Sequence, residues 1–213
     1  MRIVEMYRSI QGESTFAGRP CTFVRTAGCS LRCAYCDTGY ALSRNAGEEW
    51  GLDAIVRRVE ELGIDLVEVT GGEPLEQQET PELCRRLLAK GATVLVETGG
   101  HCPVEALPPE AIKIMDLKTP GSGMVRQNRW ENLEHLGSRD EIKFVLCGRD
   151  DFDWAVNACR EHDLFGKWTI HFSPSFGQLS PEPLAQWILK ESVPVRLQLQ
   201  IHKYIWSPTA CGV

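Results

Sequence analysis

The sequence predicts an α/β fold built as an incomplete (β/α)6-type, TIM-like barrel, and three observations lead there. Short apolar runs of strand character alternate with segments whose apolar residues recur at helical spacing, the pattern of right-handed βαβ units around a parallel sheet. The chain has 213 residues, fewer than the roughly 250 that eight such units usually take, and only six or seven strands can be placed. Polar clusters at 29–38, 70–74, 97–100, 116–123 and 173–177 follow strands at their C-terminal ends, the edge that carries the site in barrel and open α/β folds. A doubly wound open sheet has the same periodicity, so the pattern alone leaves both architectures open.

Residues 1–20 show no such unit and stand as a non-repeating segment ahead of the first barrel strand. Thr22-Phe23-Val24 then reads as a strand. So do Leu66-Val67-Glu68-Val69-Thr70, Thr93-Val94-Leu95-Val96-Glu97, Ile112-Lys113-Ile114-Met115 and Ile142-Lys143-Phe144-Val145-Leu146. Thr169-Ile170-His171-Phe172 and Leu197-Gln198-Leu199-Gln200 complete the set. Between them, Leu52, Ile55, Val56, Val59 and Leu62 recur at helical spacing. Thr80-Pro81 caps and opens a helix that buries Leu83, Leu87 and Leu88 and stops at Gly91. Ser180-Pro181 repeats that start signal before Leu184, Trp187 and Ile188. With no internal repeat, low-complexity tract or long linker, residues 1–213 are expected to form a single domain.

At 43% hydrophobic the chain can bury one core. Its net charge of -6 argues against nucleic acid as a partner, because phosphate binding needs a basic face. No run of about 18 apolar residues exists, so no membrane span is expected. The opening Met-Arg-Ile-Val-Glu-Met-Tyr lacks an apolar signal core, which points to a cytoplasmic location. In a reducing compartment, the nine cysteines are ligands or buried thiols rather than a disulfide framework. Cys21, Cys84, Cys102, Cys147, Cys159 and Cys211 are scattered, while Cys29, Cys33 and Cys36 crowd into eight residues.

The crowded three lie in Gly28-Cys29-Ser30-Leu31-Arg32-Cys33-Ala34-Tyr35-Cys36-Asp37-Thr38, with the spacing C-x-x-x-C-x-x-C. Three thiolates can ligate three irons of a [4Fe–4S] cube and leave the fourth open, which is useful only if another molecule binds there. Structural zinc usually takes paired ligands, and no second pair or spaced His–His motif is present. Incidental buried thiols are the remaining reading. Farther on, Thr70-Gly71-Gly72-Glu73-Pro74 follows a strand, where two glycines either let the chain approach a ligand closely or make an ordinary strand-to-helix turn.

Together the two motifs resemble the radical SAM superfamily. The resemblance implies a [4Fe–4S] cluster on Cys29, Cys33 and Cys36, with S-adenosylmethionine bound at the open iron through its amino and carboxylate groups. The reduced cluster then breaks a carbon–sulfur bond to give a 5′-deoxyadenosyl radical, and the G-G-E-P segment receives the methionine amino group. Tyr35, Cys36, Asp37, Gly72, Glu73, Asp116, Leu117 and Lys118, with Ser173 to Phe176, are expected to line the S-adenosylmethionine site. No side chain beyond the cluster and cofactor is expected to do the chemistry.

The amino-terminal part narrows the resemblance. Ser9-Ile10-Gln11-Gly12-Glu13-Ser14, Gly18-Arg19-Pro20 and Phe23-Val24-Arg25 lead into the cysteine loop in an order similar to the 7-carboxy-7-deazaguanine synthase family. Glu97-Thr98-Gly99-Gly100, Asp116-Leu117-Lys118, His202-Lys203-Tyr204-Ile205-Trp206 and the closing Gly212-Val213 continue the likeness to the end of the chain. It implies conversion of 6-carboxy-5,6,7,8-tetrahydropterin to 7-carboxy-7-deazaguanine with loss of ammonia, a step toward queuosine, assisted by Mg²⁺. Residues 1–20 become a substrate-binding segment in which Ile10, Gln11, Gly12 and Glu13 contact the pterin, joined by Thr70. Arg25 is matched to the substrate carboxylate, since a guanidinium offers two donors in fixed geometry, and otherwise reads as a paired arginine at a strand end. Thr38 corresponds to the Mg²⁺ ligand, and on its own reads as a helix cap. His202 and the chain end are expected to close the substrate pocket.

The chain departs from that pattern at Ser14, where many relatives carry glycine, at Asp116-Leu117-Lys118 in place of S-P-K, at Gln198-Leu199-Gln200 in place of Q-P-Q, and at Cys211. The implied partners are the carboxypterin, an electron donor such as flavodoxin or ferredoxin, and a second copy in a homodimer. Two alternatives stand beside this reading. One is another small radical SAM enzyme such as a glycyl-radical activase, which would not need an arginine for a carboxylate. The other is a non-catalytic iron–sulfur or zinc module.

Overall fold

The computed structural model describes residues 1–212, among which nine strands are found. They are β1 (Arg2–Ile10), β2 (Pro20–Thr26), β3 (Glu48–Glu49), β4 (Leu66–Gly71), β5 (Thr93–Thr98), β6 (Ile112–Asp116), β7 (Glu141–Leu146), β8 (Thr169–Pro174) and β9 (Arg196–Leu197). All lie in one sheet, in the order β3-β1-β2-β4-β5-β6-β7-β8-β9. β1 is antiparallel to both neighbours, and every pairing from β2 to β9 is parallel. A doubly wound sheet would reverse its order at a switch point. Here the order rises along the chain without reversal, so successive right-handed crossovers stay on one face. That is the architecture of a partial barrel, with β3 and β9 left as edges.

Helices α1 (Leu52–Leu62), α2 (Thr80–Ala89), α3 (Arg149–Glu161) and α4 (Pro181–Glu191) cover the outer face, and a short α5 (His202–Ile205) follows β9. The connection after β5 holds no helix, and the one after β6 holds only 3-10 turns at Pro120–Ser122, Val125–Gln127 and Trp130–His135. Val67, Val69, Val94 and Val96 pack outward on Ile55, Val59, Leu83 and Leu87. Ile142, Phe144, Ile170 and Phe172 pack on Phe152, Val156, Cys159 and Leu184. The alternate residues point inward, because successive side chains of a strand face opposite ways. At the strand starts these are apolar, with Phe23, Leu66, Leu95 and Ile114 in one cluster. One step further along each strand they become Arg25, Glu68, Glu97 and Asp116. The interior is therefore oily below and charged above.

The opening between the two ends of the sheet is bridged by the loop that joins β1 to β2. Ser14 N donates to Gln198 Oε1 at 2.6 Å, Thr15 N to Glu141 Oε2 at 3.1 Å, Gln200 Nε2 to Glu13 Oε1 at 2.8 Å, and Ile201 N to Gly12 O at 3.1 Å. Ser14 sits in the left-handed region at φ 64, which accounts for glycine suiting that position.

Several elements differ from the sequence expectation. The first 20 residues are not free of regular structure, since Arg2–Ile10 pairs along β2. The last strand is only Arg196–Leu197, and Gln198 and Gln200 spend their amides on Glu13 instead. Thr80 lies inside α2 rather than capping it, with Glu79 at the cap and the Thr80 hydroxyl donating to Pro74 O at 2.6 Å. Ser180 holds the cap position of α4 but makes no side-chain cap bond. α3 was not anticipated. Among the described residues, no helix is long and apolar enough to cross a membrane.

Candidate active site

A cavity of about 600 Å³ opens at the C-terminal ends of β2 and β4 to β7. Its walls are the cysteine loop on one side and the segment after β9 on the other. Cys29, Cys33 and Cys36 all line it with free thiols. Their loop is anchored by backbone bonds: Gly28 N to Ala41 O at 2.8 Å, Cys29 N to Leu42 O at 3.2 Å, and Ala34 N to Ser122 O at 3.0 Å. Burial and the nearby Glu73 and Glu76 carboxylates push the Cys29 thiol up to about 11, so loading a cation there displaces a proton. Cys84 and Cys159 are wholly buried in the two outer core clusters, away from this loop.

Gly71-Gly72-Glu73 is locked to the same loop. A Cβ on Gly72 would fall 2.2 Å from Gly28 O, and one on Gly71, at φ 149, would fall 2.3 Å from Thr26 O. The glycines thus serve first to let two backbone segments touch. Glu73 is fully buried, accepting from Leu75 N at 3.0 Å, Thr98 Oγ1 at 2.9 Å and Gly99 N at 2.7 Å. It ties the loop after β5 to the cavity wall. Burial raises its pKa, opposed by the His101 imidazole 3.6 Å away and by these donors.

The charged floor centres on Lys143. Its ammonium lies 2.9 Å from Glu13 and 3.8 Å from Asp116, and also bonds Glu97. Lys118 pairs with Asp116 at 3.0 Å. Burial alone would raise Glu13, yet Lys143 and the Gln200 amide outweigh it and hold the carboxyl below its ordinary value. Glu68 has Gln11 as its hydrogen-bond donor and other carboxylates nearby, so burial and the Glu97 charge drive its pKa well up.

The rim carries Arg25, whose Nε donates to Glu5 at 2.7 Å while a terminal nitrogen donates to Tyr7 at 3.0 Å. Tyr40 donates to the same Glu5 oxygen at 2.8 Å. Arg25 therefore faces the cavity and is also paired, its remaining N–H groups having no partner among the described residues. The His202 ring rests on Gly12, and Lys203 clamps Asp37 at 2.6 Å, joining α5 to the cysteine loop. Thr38 takes the cap position of a 3-10 turn without capping it, its hydroxyl instead donating to Asp37 Oδ1 at 3.2 Å. Tyr35 Oη, Asp116 Oδ1 and Ser175 Oγ are buried, lie in residues lining the cavity, and lack a partner among the described residues.

Of the residues singled out from sequence, Ile10, Gln11, Gly12, Glu13, Arg25, Thr38, Thr70, His202, Tyr35, Cys36, Asp37, Gly72, Glu73, Asp116 and Lys118 all line this cavity. Two do not. Leu117 is fully buried in the core beside Met115 and Ile142, because strand alternation turns it away from Asp116 and Lys118. Ser173 is buried below the cavity, and Ser175 and Phe176 reach it instead. Val213 lies outside the described residues. Sequence reasoning missed Lys143, Tyr7, Tyr40 and Lys203, all of which line the cavity. A signal for Lys143 was present: a lysine between Ile142 and Phe144 in an otherwise apolar strand needs a buried counter-ion.

Comparison with known proteins adds independent findings. The family described as the Radical SAM superfamily matches residues 23–117. A 7-carboxy-7-deazaguanine synthase of Chlorobaculum tepidum is 45% identical, over 100% of this chain and 97% of its own length. One of Koribacter versatilis is 42% identical over 100% of both. The crystal structure of QueE from Escherichia coli superposes with a TM-score of 0.73 over 93% of this chain and 92% of that one, at 22% identity. Streptococcus suis SuiB bound to its precursor peptide SuiA covers 83% of this chain and 47% of that one, with a TM-score of 0.57 at 14% identity. The last two are likenesses of fold.

Proposed function

The chain belongs to the 7-carboxy-7-deazaguanine synthase family, and from that membership we propose that it converts 6-carboxy-5,6,7,8-tetrahydropterin to 7-carboxy-7-deazaguanine with loss of ammonia. The observation that carries this reading is that three free cysteine thiols share one cavity with Gln11, Glu13, Arg25 and His202. The residues fit the implied groups. Among the described residues no three His, Cys, Asp or Glu side chains converge on a single ion, and a [4Fe–4S] cube asks only that each thiolate reach a different iron. The unpartnered polar atoms of Tyr35, Asp116 and Ser175 suit a polar cofactor in the same cavity.

Cys29, Cys33 and Cys36 hold the cluster in this reading, and Tyr35, Asp37, Gly72, Glu73, Asp116, Lys118, Ser175 and Phe176 surround S-adenosylmethionine. Bound there, the two supply reductive cleavage of a carbon–sulfur bond and hence hydrogen-atom abstraction. The chain's own part is placement. Arg25 offers its free N–H groups to the substrate carboxylate, pre-oriented by Glu5 and Tyr7. Ile10, Gln11, Gly12, Glu13, Thr70 and His202 enclose the pterin, while Lys143 keeps Glu13 ionised and facing it. Thr38 offers one oxygen to Mg²⁺, which commonly keeps several waters. The family resemblance further supports a single domain, a cytoplasmic homodimer, and reduction by flavodoxin or ferredoxin.

The test is an anaerobic assay of reconstituted, reduced protein with the carboxypterin, following carboxydeazaguanine. Cleavage of S-adenosylmethionine without conversion of the pterin would remove the substrate and leave the superfamily.

A further inference from the structure

The floor of the cavity holds more acid than its cations pair. Glu13, Glu68, Glu97 and Asp116 line it together with Lys118 and Lys143. Lys143 is taken up by Glu13, Glu97 and Asp116, and Lys118 by Asp116. The rim pairs off separately, Arg25 with Glu5 and Lys203 with Asp37. Glu68, only 3% exposed, is left with the neutral amide of Gln11, whose Nε2 donates to Oε2. That amide is fixed, because its Oε1 accepts from Glu13 N at 3.0 Å. It brings Glu68 a hydrogen bond but no charge, and an ionised carboxyl there would stand buried without a counter-ion. Burial and the Glu97 charge outweigh Gln11 and Lys143 and push the carboxyl well up. With Oε2 accepting from Gln11, the proton belongs on Oε1, which has no partner among the described residues.

Depth decides which part of a substrate meets this group. On neighbouring strands Arg25 pairs with Thr70 and Phe23 with Glu68, so Glu68 lies two residues, roughly 6–7 Å, below the rim arginine. Beside it Phe23 stacks on Tyr7 with ring centroids 5.2 Å apart, and both line the cavity. A bicyclic ring whose carboxylate meets Arg25 brings its pyrimidinone end down to this level. We propose that Glu68 acts as a neutral carboxylic acid that donates a hydrogen bond from Oε1 to the ring carbonyl of the bound pterin, oriented from behind by Gln11. The inference rests on the substrate reading above. It divides the work between two floor acids: Glu13, held ionised by Lys143, accepts from N–H groups of the heterocycle, and Glu68 donates to its carbonyl.

The test compares reconstituted wild type, Glu68→Gln and Glu68→Leu in steady-state turnover of the carboxypterin, normalised to iron content. Glu68→Leu should raise KM about tenfold or more, the effect of losing a buried hydrogen bond and stranding the Gln11 amide. Glu68→Gln should recover most of that loss, because its amide oxygen still accepts from Gln11 and its NH2 group still donates into the cavity. An ionised acceptor would give the opposite ranking, with Glu68→Gln as impaired as Glu68→Leu. That ranking, or a wild-type KM in Glu68→Leu, overturns the proposal. Infrared difference spectra of wild type against Glu68→Gln at neutral pH decide even if Glu68→Leu fails to fold. A protonated-carboxyl stretch should be present in wild type, shift when the carboxypterin binds, and be missing from the variant; equal spectra overturn the proposal. A wild-type enzyme that shows the band yet never converts the carboxypterin overturns the underlying reaction instead.

Discussion

The imidazole of His202 lies directly on Gly12: a Cβ built at Gly12 would fall 2.0 Å from its Nδ1. The contact joins the two ends of the chain, and the adjacent Ile201 N–H donates to Gly12 O at 3.1 Å. Gly12→Ala should push α5 off the rim at a cost of about 1–3 kcal/mol. The KM for the carboxypterin should rise more than about tenfold at normal iron content, with faster proteolysis within 200–212. A wild-type KM and cleavage rate would show that α5 does not close the pocket.

Arg25→Ala should raise KM by roughly tenfold to a hundredfold, the effect of losing a charged hydrogen-bond partner worth about 1.5–3 kcal/mol. Arg25→Lys should recover little, because an ammonium cannot hold Glu5 and Tyr7 while presenting a fork to a carboxylate. Glu5→Gln separates the two roles. It frees the guanidinium of its ion pair, and substrate binding should weaken less than in Arg25→Ala. Steady-state kinetics on all three variants, normalised to cluster content, gives the ranking; the reverse order would make Arg25 a structural pair.

Replacing any of Cys29, Cys33 or Cys36 by Ala should abolish iron–sulfur absorbance and cofactor cleavage. Cys84→Ala and Cys159→Ala remove wholly buried thiols from core clusters, so they should lower stability by about 1–2 kcal/mol and leave the absorbance intact. Iron content and thermal unfolding of the five variants separate the two groups. An essential cysteine outside the loop would contradict the three-ligand scheme.

Ser14 adopts φ 64, a backbone state that costs a non-glycine residue about 1–2 kcal/mol. Part of that is offset by its hydroxyl, which accepts from Phe16 N at 3.2 Å. Ser14→Gly should therefore leave Tm equal or higher, and Ser14→Val should lower it with its bulkier branched side chain. A clear loss of stability in Ser14→Gly would mean that the hydroxyl matters more than the strain.

Glu76 supplies a pH test. Burial acts to raise its pKa, but hydrogen bonds from Ser30, Arg44 and His101 outweigh this and hold it down at about 2. A depressed carboxyl contributes stability that is complete above its unfolded value near 4.5 and is lost as pH falls toward the folded value. The cysteine loop should accordingly loosen between about pH 4.5 and 2, seen as accelerated pepsin cleavage within the loop of metal-free protein. Glu76→Gln should flatten that dependence. An unchanged profile in the variant would assign the acid transition to another group.

Much of this was legible because it is local. β4, β5, β7 and β8 are apolar runs buried on both faces, and the C-x-x-x-C-x-x-C and G-G-E-P segments are contiguous. β1 was missed because it is half-buried and charged, with Arg2, Glu5 and Arg8 interrupting its alternation. α3 was missed because its buried face is built partly from Ala155, Ala158 and Cys159 among many charges. Lys143 depends on Glu13, 130 positions away, a pairing no window of sequence contains. Leu117 and Ser173 were placed at the site by adjacency to polar neighbours, whereas the pleat turns Leu117 outward, and Ser173, on the inner face, lies too deep, so that Ser175 two residues on reaches the cavity.

The seam between residues 11–15 and 198–202 also sets an order of events at the ribosome. Synthesis runs from the amino end, so the thiols of Cys29, Cys33 and Cys36 emerge long before the segment at 200–212 exists to stand beside them. During that interval the cysteine loop has no such segment facing it across the cavity. The cavity gains its second wall only with residues 200–212, made after the segment at 23–117 that matches the wider superfamily.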